Sequence, residues 1–198
     1  MKKKVKNSKV VISIDLPKVF KSPSWGKLVN TQQLIAYLLI NLINTRCRSA
    51  DKNFKEWFKK YVEKQTLGQL TNLFKKIVAP DFKGRRFKIY RPRGYIMEEI
   101  TKLMEDYCEK RNKLFHKVIQ TRYQSRKEIL LECKSTNKTG DIILTVLEIL
   151  WKEEINRYLG ELGKKVGKEV KRIESQSKKV AKVVKKHYAT RYYRQFRS

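Results

Sequence analysis

The chain has 198 residues, enough for one domain with appendages or two small domains, and its 40% hydrophobic content suffices for a core. Its charge is the outlier: 48 Lys+Arg against 19 Asp+Glu give a net charge of +29. A folded protein so charged repels itself and attracts polyanions, so RNA or DNA is the first partner to consider and an anionic membrane surface the second. A general lysine enrichment of the proteome should raise Glu along with Lys, and here it has not. The cysteines Cys47, Cys108 and Cys133 are scattered and odd in number. They exclude a disulfide framework and a cysteine metal site, and they fit a reducing cytoplasm. The basic start Met1–Lys6 lacks the apolar run of a signal peptide, and no apolar run approaches the ~18 residues of a membrane span.

Residues 1–30 read as a basic N-terminal segment. Val10 to Leu16 is rich in β-branched residues and is expected as one short strand, after which Pro17 and Pro23, with Ser22 and Ser24, break regular structure. A first helix is expected from about Thr31, with Leu34, Ile35, Leu38, Leu39, Leu42 and Ile43 as its core stripe. Asp51 is placed to cap a second helix, on which Phe54, Trp57, Phe58, Tyr61 and Val62 share a face. Thr66 caps a third, with the stripe Leu67, Leu70, Leu73, Phe74, Ile77 and Val78, and Pro80 ends it. Gly68 sits in the first turn, where a neighbouring helix can approach closely.

Residues 81–94 change character. Lys83, Arg85, Arg86, Lys88, Arg91 and Arg93 alternate with Phe82, Phe87 and Tyr90 in a stretch bounded by Gly and Pro. Cations suit phosphates and flat rings suit unpaired bases, so this is a candidate nucleic-acid loop. The bland alternative is a solvated loop whose aromatics dock on the core. A long helix follows, over about 95–123, with Ile96, Ile100, Leu103, Met104, Tyr107, Leu114, Phe115, Val118 and Ile119 on one face. Ser125 to Glu128 has capping-box spacing and opens a short helix with Ile129, Leu130 and Cys133. Residues 134–140 read as a polar loop. A last helix is expected from Asp141, with Ile143, Val146, Leu147, Leu150, Tyr158, Leu162 and Val166 inward.

Beyond residue 163 the composition turns basic: from Lys164 to Ser198 there are 13 Lys/Arg and two acids. Helical spacing persists at Val166, Val170 and Ile173. Lys178, Lys179, Lys182, Lys185, Lys186, Arg191 and Arg194, interleaved near the end with aromatics, are candidate phosphate contacts. The alternative is a solvated tail. The expected organisation is thus an all-α domain over 31–162, preceded by an extended segment and followed by a basic helical extension over 163–198.

Arg111-Asn112-Lys113-Leu114-Phe115-His116 lies late on the 95–123 helix. This run resembles the Arg-x4-6-His signature of HEPN-domain proteins in its Arg-Asn-x-x-x-His form. Leu67-Gly68-Gln69-Leu70 is similar to the helix-opening Leu-Gly-x-Leu of several HEPN groups. The resemblance covers about residues 31–160. It implies an all-helical HEPN-like bundle and a metal-independent endoribonuclease without cofactor, a toxin or antiviral defence effector acting as a homodimer or with a partner HEPN chain. An antitoxin or defence-complex partner is also implied. One departure is that Val118 stands where the Arg-x4-His-x-Tyr toxins carry their modified tyrosine.

The chemistry suits these residues. When an RNA 2′-hydroxyl attacks the adjacent phosphorus, a proton must leave the nucleophile, another must reach the departing 5′-oxygen, and the transition state gathers negative charge. His116 can exchange protons near neutrality, Arg111 stays charged and can hold two phosphate oxygens, and Asn112 can orient either partner. Asn112 and His116 share a face, but Arg111 lies roughly 140° around the helix from His116. One helix therefore does not readily focus both on one phosphate, whereas a second copy across a two-fold axis can. The alternative is structural: Arg111 pairs with Glu105, Glu109 or another acid and pins the helix, and His116 is a satisfied core residue. His187 reads as a contact residue. Two non-catalytic readings stay open: a nucleic-acid-binding protein using the loop and tail, or a ribonucleoprotein subunit.

Overall fold

A computed structural model describes residues 19–47, 52–89, 93–119 and 125–195, with the side chains at 52–54, 119, 184 and 186–195 left out. The expected strand over 10–16, Asp51 as a cap, and Tyr90 and Arg91 lie outside the described residues. The described chain is mostly helical, as expected. Its elements are α1 (Pro23–Arg46), α2 (Lys52–Tyr61), α3 (Leu67–Ile77), a short 3-10 turn (Ala79–Phe82), β1 (Arg86–Phe87), β2 (Tyr95–Ile96), α4 (Met97–Ile119) and α5 (Arg126–Gln195).

Helix α1 begins eight residues before Thr31 because Pro23 starts it rather than breaking structure. The Ser22 hydroxyl accepts from the Trp25 amide at 3.3 Å, and Pro23 needs no amide partner in the first turn. Ile35, Leu38, Leu39, Leu42 and Ile43 are buried as expected, but Leu34 is 52% exposed. Each such buried aliphatic side chain contributes about 2 kcal/mol of transfer free energy. Helix α3 opens on a full capping box: the Gln69 amide donates to the Thr66 hydroxyl, and the Thr66 amide to Gln69 Oε1 at 2.9 Å. Gly68 has open space about its Cα, so the close approach expected there is not made.

The described part of the 81–94 stretch, residues 81–89 and 93–94, has defined structure. Phe82 closes the 3-10 turn, Gly84 turns at φ 73°, and β1 pairs antiparallel with β2, Arg86 opposite Ile96 and Phe87 opposite Tyr95. Phe82 and Phe87 are buried, which settles those two rings for the docked alternative. Helix α1 packs on α3, and α3 on α4.

The expected break at 134–140 is absent: α5 runs unbroken through it. The buried side-chain donors there are satisfied inside the helix packing, while Asn137 Oδ1 is buried without a partner among the described residues. The Thr136 hydroxyl donates to the Glu132 carbonyl at 2.8 Å, and Asn137 Nδ2 donates to the Ser24 carbonyl at 2.9 Å. Gly140 lies where α5 passes α1 and α4: a Cβ there would stand 2.4 Å from Thr31 Cγ2 and 3.0 Å from Tyr107 Cε2. What reads as a polar loop is a buried helical crossing.

The chain divides into two compact units, residues 1–154 and 155–198, so α5 contributes to both. In the first, Glu154 is 1% exposed and pairs with Arg46 at 3.4 Å, while Arg46 also meets Asp81. In the second, the inward role expected of Leu162 and Val166 fails: they are 43% and 55% exposed. Among the described residues no helix is long and apolar enough to cross a membrane.

Candidate functional site

Helix α4 buries Met97, Ile100, Met104, Tyr107, Leu114 and Val118. Their spacings alternate between three and four, and Arg111 occupies the one place in that progression without an apolar residue. The guanidinium is thus turned toward the helical body, where it is half-buried. It is held there by neutral groups. Arg111 Nε donates to Gln32 Oε1 of α1 at 2.8 Å, a second nitrogen donates to Asn112 Oδ1 at 2.5 Å, and its carbon lies 4.7 Å from the Phe115 ring centre. Phe115 in turn rests on Trp25, ring centres 4.8 Å apart.

The two acids on α4 nearest in sequence for pairing at helical spacing are engaged elsewhere, Glu105 with Lys75 and Glu109 with Lys113, each at 2.5 Å. That removes these two pairings from the structural alternative. Burial pushes the neighbouring Tyr107 hydroxyl and Cys108 thiol up, and the Arg111 charge pulls both the other way. Cys108 also lies 3.8 Å from the Thr71 hydroxyl. Burial drives the Cys133 thiol up to about 11, with Glu132 adding to it.

His116 lies on the other side of α4. It is exposed, not a buried neighbour of Arg111, and makes no hydrogen bond or ion pair within the described residues. Asn112 is also exposed. The structure brings Arg111 together with Asn112 but leaves Arg111 and His116 without a bond between them, in line with the helical angle. An exposed His116 removes the alternative in which it is a satisfied core residue. The asymmetry between Arg111 and His116 follows from the stripe: position 111 continues it and position 116 lies about 160° from its midline.

The candidate phosphate contacts fall into groups. Lys83, Arg85, Arg86, Lys88 and Arg93 are all exposed around the β1–β2 pair. Arg85 is committed to Glu153 and lies 5.0 Å from the Phe82 ring centre, while the Arg86 stem packs over Gly94. Lys178, Lys179, Lys182 and Lys185 are exposed on α5. The side chains of Lys186, Arg191 and Arg194 lie outside the described residues, as does that of His187.

A groove between α2 and α3 escaped the sequence reading. Trp57, Tyr61, Gln65, Gln69, Asn72 and Lys76 line a hollow of about 340 Å³. Trp57 and Tyr61 are 45% and 47% exposed, with ring centres 6.1 Å apart, and Lys60 lies 5.1 Å from the Tyr61 ring centre. Exposed rings beside carboxamides and lysines are the furniture of base stacking. The sequence signal was ambiguous, because Trp57–Phe58 and Tyr61–Val62 are adjacent pairs and periodicity does not say which member turns inward. Phe58 and Val62 do. Among the described residues, no cluster of three or more His, Cys, Asp or Glu is placed to hold a metal ion.

No protein-family model matches this chain, nor does any curated protein or solved structure.

Proposed function

We propose that the protein is a HEPN-type endoribonuclease on an HEPN-like helical scaffold, cutting RNA without a metal as a toxin or antiviral effector. The observation that carries this reading is the state of Arg111. Its guanidinium is fixed by the uncharged Gln32 and Asn112, and neither Glu105 nor Glu109 neutralises it. A cation held at a semi-buried place by neutral acceptors keeps its charge for an anion, and a phosphate is the anion that a +29 chain attracts most strongly.

In this reading His116 takes the proton from the 2′-hydroxyl or gives one to the departing 5′-oxygen, forming the 2′,3′-cyclic phosphate. Arg111 neutralises the charge gathered on the phosphorus oxygens. The two side chains lie on different sides of α4, so the complete site takes Arg111 from one copy and His116 from another in a homodimer. The exposed cations around β1 and on α5, and the Trp57–Tyr61 groove, hold the rest of the strand.

Cleavage of a labelled single-stranded RNA in EDTA tests the reading. Wild type should leave 2′,3′-cyclic phosphate ends, and His116→Ala should lose at least 100-fold in rate while binding RNA as tightly. Salt-sensitive binding by both, with cleavage by neither, would overturn it. The non-catalytic binding reading, favoured by the exposed lysines of α5, would then stand.

A further inference from the structure

From Leu159 to Lys185 every described side chain is exposed. Yet Leu159, Leu162, Val166, Val170, Ile173 and Val180, each 43% to 61% exposed, recur at helical spacing. At 100° per residue they fall within a sector of about 80° that runs for roughly 33 Å. The cations avoid it: Lys164, Lys168, Lys171, Lys178, Lys179 and Lys182 lie about 130–170° from its midline. So narrow an apolar line is a seam for another helix. A helix lying in lipid presents a broader apolar face, commonly with aromatics, and this line has none.

We propose that this seam pairs with the same seam of a second copy of the chain, the two helices running antiparallel about Gly167. The edges of the seam carry the argument for a second copy. One edge holds Lys165 and Glu169, which an antiparallel alignment about residue 167 sets against each other, Lys165 of each copy beside Glu169 of the other. The opposite edge holds Gly163 and Gly167, both with open space around them. Glycine is a poor helix former, and its use on an exposed helix is accounted for where a second backbone comes close. An acidic partner helix would find few cations on these edges, since the lysines face away.

The pairing has an ionic-strength signature. Residues 155–198 hold 14 Lys+Arg against 3 Asp+Glu, so two copies repel and salt relieves the repulsion. Attraction to an acidic helix or an anionic lipid surface would instead weaken with salt.

The test is disulfide cross-linking of the full chain under mild oxidation. Gly167→Cys places a thiol at the edge of the seam, beside the centre of the antiparallel pair, and Lys168→Cys places one on the cationic face; both share the native cysteines. Gly167→Cys should give a linked dimer at least tenfold faster than Lys168→Cys, and faster in 0.5 M than in 0.1 M NaCl. Adding Val166→Glu/Val170→Glu should slow it about tenfold. Equal rates for the two thiols, or a rate that falls with salt, would overturn the proposal. In that event, binding of wild type but not of Val166→Glu/Val170→Glu to phosphatidylserine–phosphatidylcholine vesicles would assign the seam to a lipid surface. The inference stands without the ribonuclease reading, and the cross-linking reports on it whether or not RNA is cut.

Discussion

Arg111 shows how far one side chain's role depends on neighbours remote in the chain. Its place in the motif was legible, and so was its angular separation from His116, because both follow from helix geometry. Its partner Gln32, 79 residues away, carried no signal, because one polar residue among others on α1 is not distinguishable by pattern. Gln32 is a positioning residue in the proposed reaction. Gln32→Ala should lower the cleavage rate about tenfold, in line with removal of one hydrogen bond to a charged group. The effect should fall on kcat, with KM and the melting temperature little changed, and Gln32→Glu, whose carboxylate would neutralise Arg111, should not recover it. A change confined to melting temperature would reduce the contact to a structural one.

Among the elements, α5 departs most from expectation. Seven residues, Lys134 to Gly140, have loop composition and helical structure. Thr136 and Asn137 are buried at 3% and 5% exposure, where an apolar pattern would normally stand. Ser24 accepts from Asn137, and Thr136 returns its hydroxyl to its own helix, so burial leaves these donors satisfied. Gly140→Ala tests the crossing. Alanine improves helix propensity by about 1 kcal/mol, but its methyl meets Thr31 and Tyr107 below van der Waals distance, and overpacking of this kind costs about 1–3 kcal/mol. The net effect expected in urea denaturation is a destabilisation of up to about 2 kcal/mol. Gly160→Ala, on open helix surface, should instead raise stability or helicity slightly. By contrast α1, α3 and α4 were visible in the sequence, since their stripes and the Thr66 cap act within a few residues. The β1–β2 pair was missed because two-residue strands carry no periodicity.

For the whole molecule the governing quantity is charge. The exposed lysines of α5 are spread along one side of a helix with few acids to offset them, so polyanion binding should release counterions and weaken with salt. Lys178→Gln/Lys179→Gln/Lys182→Gln should lower the slope of log K against log salt for single-stranded RNA by about 2, at about 0.7 for each phosphate no longer neutralised. An unchanged slope would take this face out of the interface. The seam on the other side of the same residues is then free to pair, so one helix can carry two surfaces of different chemistry.

What the sequence determined by itself is what short-range physics controls. Helices α1, α3 and α4 follow from their apolar periods, the Thr66 cap from its reach to Gln69, the strongly basic character from 48 Lys+Arg against 19 Asp+Glu, and the Arg111–His116 divergence from the helical repeat. Only the tertiary structure decided the rest. It turned Leu34, Trp57 and Tyr61 outward, made a helix of 134–140, buried Phe82 and Phe87, and left Arg111 on a neutral acceptor from another helix. Each of these depends on which distant backbone or side chain arrives at a given face. A pattern that repeats every three or four residues marks a face without naming its neighbour.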